Sequence, residues 1–438
     1  AEELQGLAAE IRDYLEILAS RERLMTILKD ELLELKQRYG NPRRTAMEEG
    51  GADTEIEDLI QREEMVVTLS HSGWIKRVPL AAYRTQRRGG KGKSAMATKE
   101  EDFVTTVFAC STHTPVLFFS STGMVYRLKV WRLPLGSPQA RGKALVNLLP
   151  LAKGETITAF LPLPEDEGEW DKRQLVFATS AGTIRRNRLS DFRNIRQSGL
   201  IAMKLDAGVR LVAVRDVAWT EADEADPAAP RPRLLLVSAG GKATKFPLDE
   251  VRLFEGRASS GVRGIRLDEG NEDSLIDMSV LNAVSLSVEE RDAYFAGGGS
   301  LSPERLEELR AGEQLILSVA NDGLGRLTSS YEFRETARGT QGINNLDLSR
   351  GRGKPDARVA ATFPVQLADH LMLVTDGGTM IRCPVEGIRQ AGRATRGVRI
   401  LDVAEAERVV SVTRLVDEGG ESAGGGEANG ATEGEETA

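Results

Sequence analysis

The stretch that decides the fold is residues 234–245, LLLVSAGGKATK, in which an apolar run leads through a glycine turn to a short segment ending in a base. The apolar run has the character of a buried strand, and Gly241 supplies a residue that readily adopts a left-handed conformation. The stretch therefore predicts a β-hairpin, with two antiparallel strands joined by a tight turn.

The same pattern occurs six times along the chain. The apolar runs and their turn glycines are Val66–Leu69 with Gly73, Val116–Phe119 with Gly123, Leu175–Phe177 with Gly182, Leu234–Val237 with Gly241, Ile316–Val319 with Gly323, and Leu371–Val374 with Gly378. A second glycine follows each turn at a nearly constant distance, at Gly92, Gly142, Gly199, Gly261, Gly342 and Gly397. Repetition every ~50 residues is typical of propeller or solenoid arrays. We therefore predict a mainly β, propeller-like disc of six four-stranded blades over residues 63–416.

The spacing between turn glycines is 50 to 59 residues, except between Gly241 and Gly323, where it is 82. The extra residues, about 283–314, contain Ser287 followed by Glu290, the pattern of a capping box. They also contain Ser302-Pro303, a helix cap with proline at the first helical position. Two short helices are therefore predicted in an insertion to which the sequence assigns no role.

Residues 3–39 carry an apolar heptad pattern. Its a positions are Leu4, Ile11, Leu18, Met25, Leu32 and Tyr39, and its d positions are Leu7, Tyr14, Arg21, Leu28 and Leu35. Only Arg21 interrupts the seam, so residues 1–40 are predicted to form one long coiled-coil helix that ends at Gly40. Its partner would be another copy or a segment upstream of Ala1. Because the chain begins with alanine, we expect a fragment or processed product, with a polar linker over residues 41–62.

Composition narrows the class of protein. The 438 residues include only two cysteines, Cys110 and Cys383, which favours a reducing cytoplasm over a secreted disulfide framework. No apolar run is long enough for a membrane helix, and no signal peptide opens the chain. The three histidines form no metal-binding pattern with the cysteines. The sequence therefore predicts no metal site, no catalytic residues and no contact with a membrane.

The net charge of −8 is unevenly distributed. Residues 417–438 carry seven carboxylates and no base, so the remainder has a net charge of −1. We predict that these residues form a disordered acidic tail, which either competes for basic surface or only increases solubility.

The bases recur at a fixed place in the repeats. Four residues after the turn glycine stand Arg77, Arg127, Arg186, Lys245 and Arg382, and the fifth repeat has Arg326 beside this position. An isolated buried cation is costly, so we expect these side chains to emerge at the edges of the sheets and form a positive belt.

The strongest local feature is Gln86-Arg87-Arg88-Gly89-Gly90-Lys91-Gly92, followed by Lys93. Long cationic side chains on a glycine-rich backbone suit contact with phosphate. The segment has no aromatic residue for base stacking and no recognition helix, which favours contact with the DNA backbone over sequence readout.

Residues 86–92 match letter for letter the heptapeptide box of the DNA gyrase A protein family. The six repeats resemble that family's C-terminal β-pinwheel, and residues 22–44 resemble the last helix of its cleavage domain. The resemblance implies a domain that wraps double-stranded DNA in a right-handed sense, so that an ATP-dependent type II topoisomerase introduces negative supercoils. It implies partners: the upstream cleavage domain and the gyrase B subunit in an A2B2 holoenzyme.

The resemblance also implies roles for the bases. Gln86, Arg87, Arg88, Gly89, Gly90, Lys91 and Gly92 would anchor DNA. We add the blade bases as candidates for tracking the phosphates: Lys76, Arg77, Lys93, Arg127, Arg185, Arg186, Lys245, Arg326 and Arg382. The chain would need no cofactor itself, whereas the holoenzyme would use ATP and Mg²⁺. The family's catalytic tyrosine is absent, so the chain alone is expected to be inactive.

Two alternatives stay open. The A-type subunit of topoisomerase IV, which decatenates DNA, resembles gyrase but usually has fewer blades and a degraded box. A protein-binding propeller scaffold would fit the acidic net charge but leaves the box unexplained. Six repeats and an intact box favour the gyrase family.

Overall fold

The structure is a computed structural model that describes residues 2–41, 56–70, 72–82, 104–137, 139–257, 259–268, 273–348, 357–377, 379–393, 395–404 and 407–415. It divides at Leu59 into two compact units. Among the described residues, no helix is long and apolar enough to cross a membrane.

The first unit contains helices α1 (Glu2–Ala19) and α2 (Arg21–Tyr39). The single helix predicted over residues 3–39 is wrong, because the chain leaves the helical conformation at Ser20 (φ −120°, ψ 107°), whose hydroxyl accepts a hydrogen bond from the Arg23 backbone N–H at 3.3 Å. Serine favours such capping over a helix interior. The predicted end at Gly40 is confirmed. No residue of either helix is buried, and coiled-coil pairing stays a prediction.

The second unit is built from 23 described strands. The first strands of the six hairpins are β1 (Glu64–Ser70), β4 (Pro115–Ser120), β8 (Arg173–Thr179), β12 (Arg233–Ser238), β16 (Leu315–Ala320) and β20 (His370–Thr375). The second strands are β2 (Trp74–Pro79), β5 (Met124–Lys129), β9 (Thr183–Arg188), β13 (Lys242–Pro247), β17 (Leu324–Ser329) and β21 (Met380–Pro384). A two-residue strand follows five of them: β6 (Lys143–Ala144), β10 (Leu200–Ile201), β14 (Val262–Arg263), β18 (Ile343–Asn344) and β22 (Val398–Arg399). The repeats end with β3 (Val104–Ser111), β7 (Ile157–Pro162), β11 (Leu211–Ala218), β15 (Leu275–Leu281), β19 (Val359–Val365) and β23 (Val409–Leu415).

Blades 1 to 5 each take one strand from the next repeat. Blade 4 has the order β15-β12-β13-β18, in which β18 belongs to the fifth repeat and pairs with β13 through Lys242↔Asn344 and Ala243↔Ile343. Blades 1, 2, 3 and 5 are completed in the same way. Blade 6 has three described strands, β21-β20-β23, and the matching segment of the first repeat falls within residues 83–103, outside the described residues.

In the second to sixth repeats, the second glycine permits this exchange. Gly142 has φ +82°, and a Cβ added there would lie 2.3 Å from the carbonyl oxygen of Ile75 in the neighbouring blade. Only glycine combines a left-handed conformation with so close an approach of two backbones. The constant spacing of this glycine in the sequence therefore marks where the chain passes from one blade to the next.

The last strands of the repeats lie side by side at the centre of the ring. Strand β11 neighbours β7 and β15, β19 neighbours β15 and β23, and β23 also neighbours β3 of the first repeat. A central cavity of about 860 Å³ is lined by side chains of these strands, including Phe160, Asp277 and Phe363. The two-residue strands lie on the opposite edge of each sheet, and therefore at the outside of the ring.

Apolar contacts hold neighbouring blades together. Phe119 of blade 2 packs edge-on against Phe177 of blade 3, with ring centroids 5.6 Å apart, and both are fully buried. Such burial contributes about 1.5–3 kcal/mol per side chain. The mainly β ring of six blades that the sequence predicts is confirmed.

The insertion between blades 4 and 5 contains the two predicted helices, α4 (Val288–Phe295) and α5 (Pro303–Gly312). A shorter helix, α3 (Glu221–Ala225), joins blades 3 and 4. Ser287 forms the predicted capping box with Glu290, and Ser302 caps α5. The Tyr331 hydroxyl donates to the Leu309 carbonyl at 2.7 Å and thereby ties α5 to blade 5.

Candidate nucleic-acid interface

The predicted phosphate-anchoring segment lies outside the described residues. This holds for Gln86, Arg87, Arg88, Gly89, Gly90, Lys91 and Gly92, for Lys93, and for the acidic tail. Their roles stay predictions that rest on sequence.

Four of the blade bases that were candidates for tracking the phosphates are not accessible, and for Arg186 and Arg326 the expected projection from the sheet edge is wrong. Lys76, Arg185, Arg186 and Arg326 are each 0% exposed. Their burial is tolerated because these cations are not isolated. Each one donates hydrogen bonds to carbonyl or carboxylate oxygens brought by a distant part of the chain, which offsets the cost of burial.

Arg185 and Arg326 each bind the loop that the next repeat contributes. Arg185 donates to the carbonyls of Arg257 at 2.6 Å and Ser259 at 2.7 Å. Arg326 donates to the carbonyls of Arg393 at 2.6 Å and Thr395 at 3.2 Å. Desolvation lowers the pKa of Arg185 and Arg326 to about 10 each, so both remain charged at neutral pH. Lys76 acts in the same way in blade 1, where its Nζ donates to Ser137 at 3.1 Å.

The bases four residues after the turn glycine are also engaged by the protein. Arg77 donates to the Leu133 carbonyl at 2.9 Å. Arg127 pairs with Glu167 at 2.6 Å, and Arg186 pairs with Glu224 at 2.9 Å. The acidic segments that join the blades therefore neutralise hairpin bases. Arg382, by contrast, is exposed and stays a candidate for phosphate contact.

Lys245 faces a cavity of about 420 Å³ beside the insertion and donates to the Ser330 carbonyl at 3.1 Å. Desolvation lowers the pKa of Lys245 from 10.5 to about 8. The folded protein therefore releases this proton near pH 8, whereas the unfolded chain keeps it to about pH 10.5.

Unfolding then takes up a proton between these pH values, so the contribution of Lys245 to stability rises with pH across this window. We expect the free energy of unfolding to gain about 3 kcal/mol between pH 8 and 10.5 relative to Lys245→Met, which lacks the titrating group. Urea unfolding of both proteins at several pH values measures this gain. If the free energies of unfolding of the two proteins change with pH in parallel, Lys245 titrates near its ordinary pKa and the prediction is contradicted.

A second set of bases lies outside the hairpins. We call crossover segments the five stretches that carry the two-residue strands, namely residues 133–148, 192–207, 251–266, 333–348 and 388–403. Since those strands lie on the outer sheet edges, the crossover segments form the outer rim of blades 1 to 5. Exposed bases on them are Lys143, Arg196, Lys204, Arg252, Arg263, Arg266, Arg334, Arg389 and Arg399.

The rim carries more base than acid at four of these five blades. The net charge of the crossover segments is +2, +2, +3, 0 and +3 in chain order. Arg399 pairs with Asp402 at 2.9 Å but remains 66% exposed. Counting charge by segment, instead of by position in the hairpin, would have found this pattern from the sequence. The described residues contain no group of three or more His, Cys, Asp or Glu that could hold a metal ion.

The fold and its rim define a ring-shaped β-propeller with an outer surface rich in bases. The sequence matches the family described as "DNA gyrase C-terminal domain, beta-propeller" over residues 64–111, 114–164, 173–218, 232–282, 314–354 and 369–415, one match per blade. The chain therefore belongs to this family.

Curated relatives agree with this assignment. The chain is 44% identical over 435 residues to the DNA gyrase A protein of Rickettsia bellii, covering 95% of this chain and 46% of the relative. It is 43% identical over 458 residues to the DNA gyrase A protein of Granulibacter bethesdensis, covering 96% of this chain and 47% of the relative. The chain thus spans about half the length of these relatives.

Two solved structures share the fold. A C-terminal domain of DNA topoisomerase IV has a TM-score of 0.62 at 21% identity, covering 81% of this chain and 94% of that domain. A DNA gyrase A C-terminal domain has a TM-score of 0.54 at 21% identity, covering 81% of this chain and all of that domain.

Proposed function

We propose that the ring binds double-stranded DNA along its outer rim and wraps it in a right-handed sense, as part of a DNA gyrase A protein. The observation that supports the proposal is that two groups of bases differ in their exposure to solvent. Of the candidate hairpin bases, all but Arg382 bind carbonyl or carboxylate oxygens of the protein, whereas crossover bases such as Lys143, Arg263 and Arg266 are exposed at the rim. Exposed bases without base-stacking aromatics suit phosphate contact.

The energetics permit bending around such a rim. Bending 20–30 base pairs by 40–90° costs about 1–6 kcal/mol in elastic terms. Release of counterions from several neutralised phosphates can offset that cost and makes binding strongly dependent on salt.

A topological experiment tests the proposal. The full chain is incubated at low salt with nicked plasmid circles, the nick is sealed with ligase, and the topoisomers are resolved after the protein is removed. We expect a shift towards positive supercoils that grows with protein concentration and disappears at high salt. If the chain binds the circles without any shift, right-handed wrapping is refuted, and absence of binding would instead favour a protein-binding scaffold.

The larger assembly belongs to the same proposal. The chain would act with an upstream cleavage domain and the gyrase B subunit in an A2B2 holoenzyme, a cytoplasmic type II topoisomerase that uses ATP and Mg²⁺. The naming of the curated relatives supports gyrase over topoisomerase IV. The intact box at Gln86–Gly92 supports the same choice. The chain alone, without the catalytic tyrosine, should not cleave DNA.

A further inference from the structure

The outer rim is not uniform, and blade 4 is its exception. The crossover segment that completes blade 4, residues 333–348, contains Arg334 and Arg338 but also Glu335 and Asp347, so its net charge is zero. Its neighbours on blades 3 and 5 each carry +3. The excess of basic over acidic residues along the rim is therefore interrupted at blade 4.

Charged side chains at the rim of blade 4 also form hydrogen bonds and an ion pair within the protein. Arg338 donates to the backbone carbonyls of Glu250 at 3.1 Å and Arg263 at 2.7 Å. Glu335 pairs with Arg233 at 2.8 Å. Of the two arginines in this segment, Arg334 is the exposed one.

The acidic insertion borders the same rim. Residues 283–314 contain seven carboxylates and three arginines. The cavity beside Lys245 is lined both by Val288 and Arg291 of this insertion and by Arg334 and Glu335 of the crossover segment, so the two segments border the same cavity. Carboxylates exposed on α4 and α5 include Glu289, Asp292, Glu304, Glu307 and Glu308. Like charge of this density repels DNA phosphates over roughly a Debye length of 8–10 Å.

We propose that the DNA-contacting arc is open at blade 4, where the neutral rim and the acidic insertion exclude the duplex, so that wrapped DNA arrives and leaves on the two sides of this blade. The inference rests on the proposed function, since it assumes that the basic parts of the rim bind DNA. The acidic insertion then limits the length of DNA that contacts the rim of the ring.

Matched substitutions test the inference. Arg266→Gln on the rim of blade 3 and Arg334→Gln on the rim of blade 4 remove the same charge from exposed positions. DNA affinity is measured against salt concentration with a linear duplex and the full chain. We expect Arg266→Gln to lower affinity severalfold and to reduce the salt slope by about 1. Arg334→Gln should leave both quantities unchanged.

A gain of charge gives the converse test. Ala337 and Gln341 are exposed on the rim of blade 4, and Ala337→Lys/Gln341→Lys should lengthen the hydroxyl-radical footprint and raise the salt slope by up to about 2. The control Gln5→Lys/Ala9→Lys places the same substitutions on α1, which belongs to the first unit, and should leave the footprint length unchanged.

The outcomes separate the two proposals. If Arg334→Gln weakens binding as much as Arg266→Gln does, blade 4 contacts DNA and the open arc is refuted. If the lysines at blade 4 leave the footprint unchanged while Arg266→Gln weakens binding, the open arc is refuted but rim binding stands. If neither arginine matters, the crossover segments do not bind DNA, and it is the proposed function that fails.

Discussion

Arg87→Ala/Arg88→Ala/Lys91→Ala is expected to abolish the topological shift in the nicked-circle experiment while leaving the melting temperature of the protein nearly unchanged. These three bases belong to a segment, residues 86–93, that carries four bases and three glycines, and the glycines permit close approach of the backbone to an anion. The salt slope of binding should fall by roughly 3, because three phosphate contacts are lost. Ligation of nicked circles and salt titration of binding measure the two effects.

The control removes the same charge elsewhere. Arg12→Ala/Lys29→Ala/Arg38→Ala changes three exposed bases of α1 and α2, which belong to the first unit. This protein should retain the full topological shift. A comparable loss in the control, or a large loss of thermal stability in the box variant, would contradict a specific anchoring role.

Arg326→Met is expected to lower the free energy of unfolding by about 3–5 kcal/mol, since buried carbonyl oxygens lose the charged donor that satisfies them. The carbonyls concerned belong to Asn345, Ala391, Arg393 and Thr395. Arg382→Met makes the same substitution at an exposed position of the next hairpin and should cost less than about 0.5 kcal/mol. Urea unfolding of the two variants provides the comparison.

DNA binding separates a structural role from phosphate contact. Under conditions in which Arg326→Met remains folded, it should bind DNA with the salt slope of the unmodified protein, because Arg326 is 0% exposed. A slope reduced by about 1 would show that this guanidinium reaches a phosphate after all.

The repeat pattern predicted the architecture because each of its elements has a local cause. Strand, glycine turn and second strand follow one another closely, as from Arg233 to Pro247, and local signals specify hairpins well. The capping residues of the insertion are equally local, and α4 and α5 confirm them. The break at Ser20 was missed because the heptad pattern continues across it while the backbone does not.

The site was predicted less well, because the burial of a charged side chain depends on partners far away in sequence. Arg186 meets Glu224, and Arg185 meets a carbonyl 72 residues away. No local spacing indicates such partners. The exchange of strands between blades was also hidden, because a two-residue strand such as Val262–Arg263 carries too little sequence to show a period. Exposed bases on the crossover segments therefore became visible only once the outer edge of each sheet was known.

The exchange of strands also constrains how the ring can form during synthesis. Blade 1 acquires Lys143 and Ala144 only after the hairpin of the second repeat has left the ribosome, and the same delay applies at blades 2 to 5. Until then, the outer edge of the newest sheet lacks its short partner strand and offers unpaired backbone groups to other chains. Nascent rings should therefore be most prone to aggregate when translation pauses between a hairpin and the crossover segment that completes it.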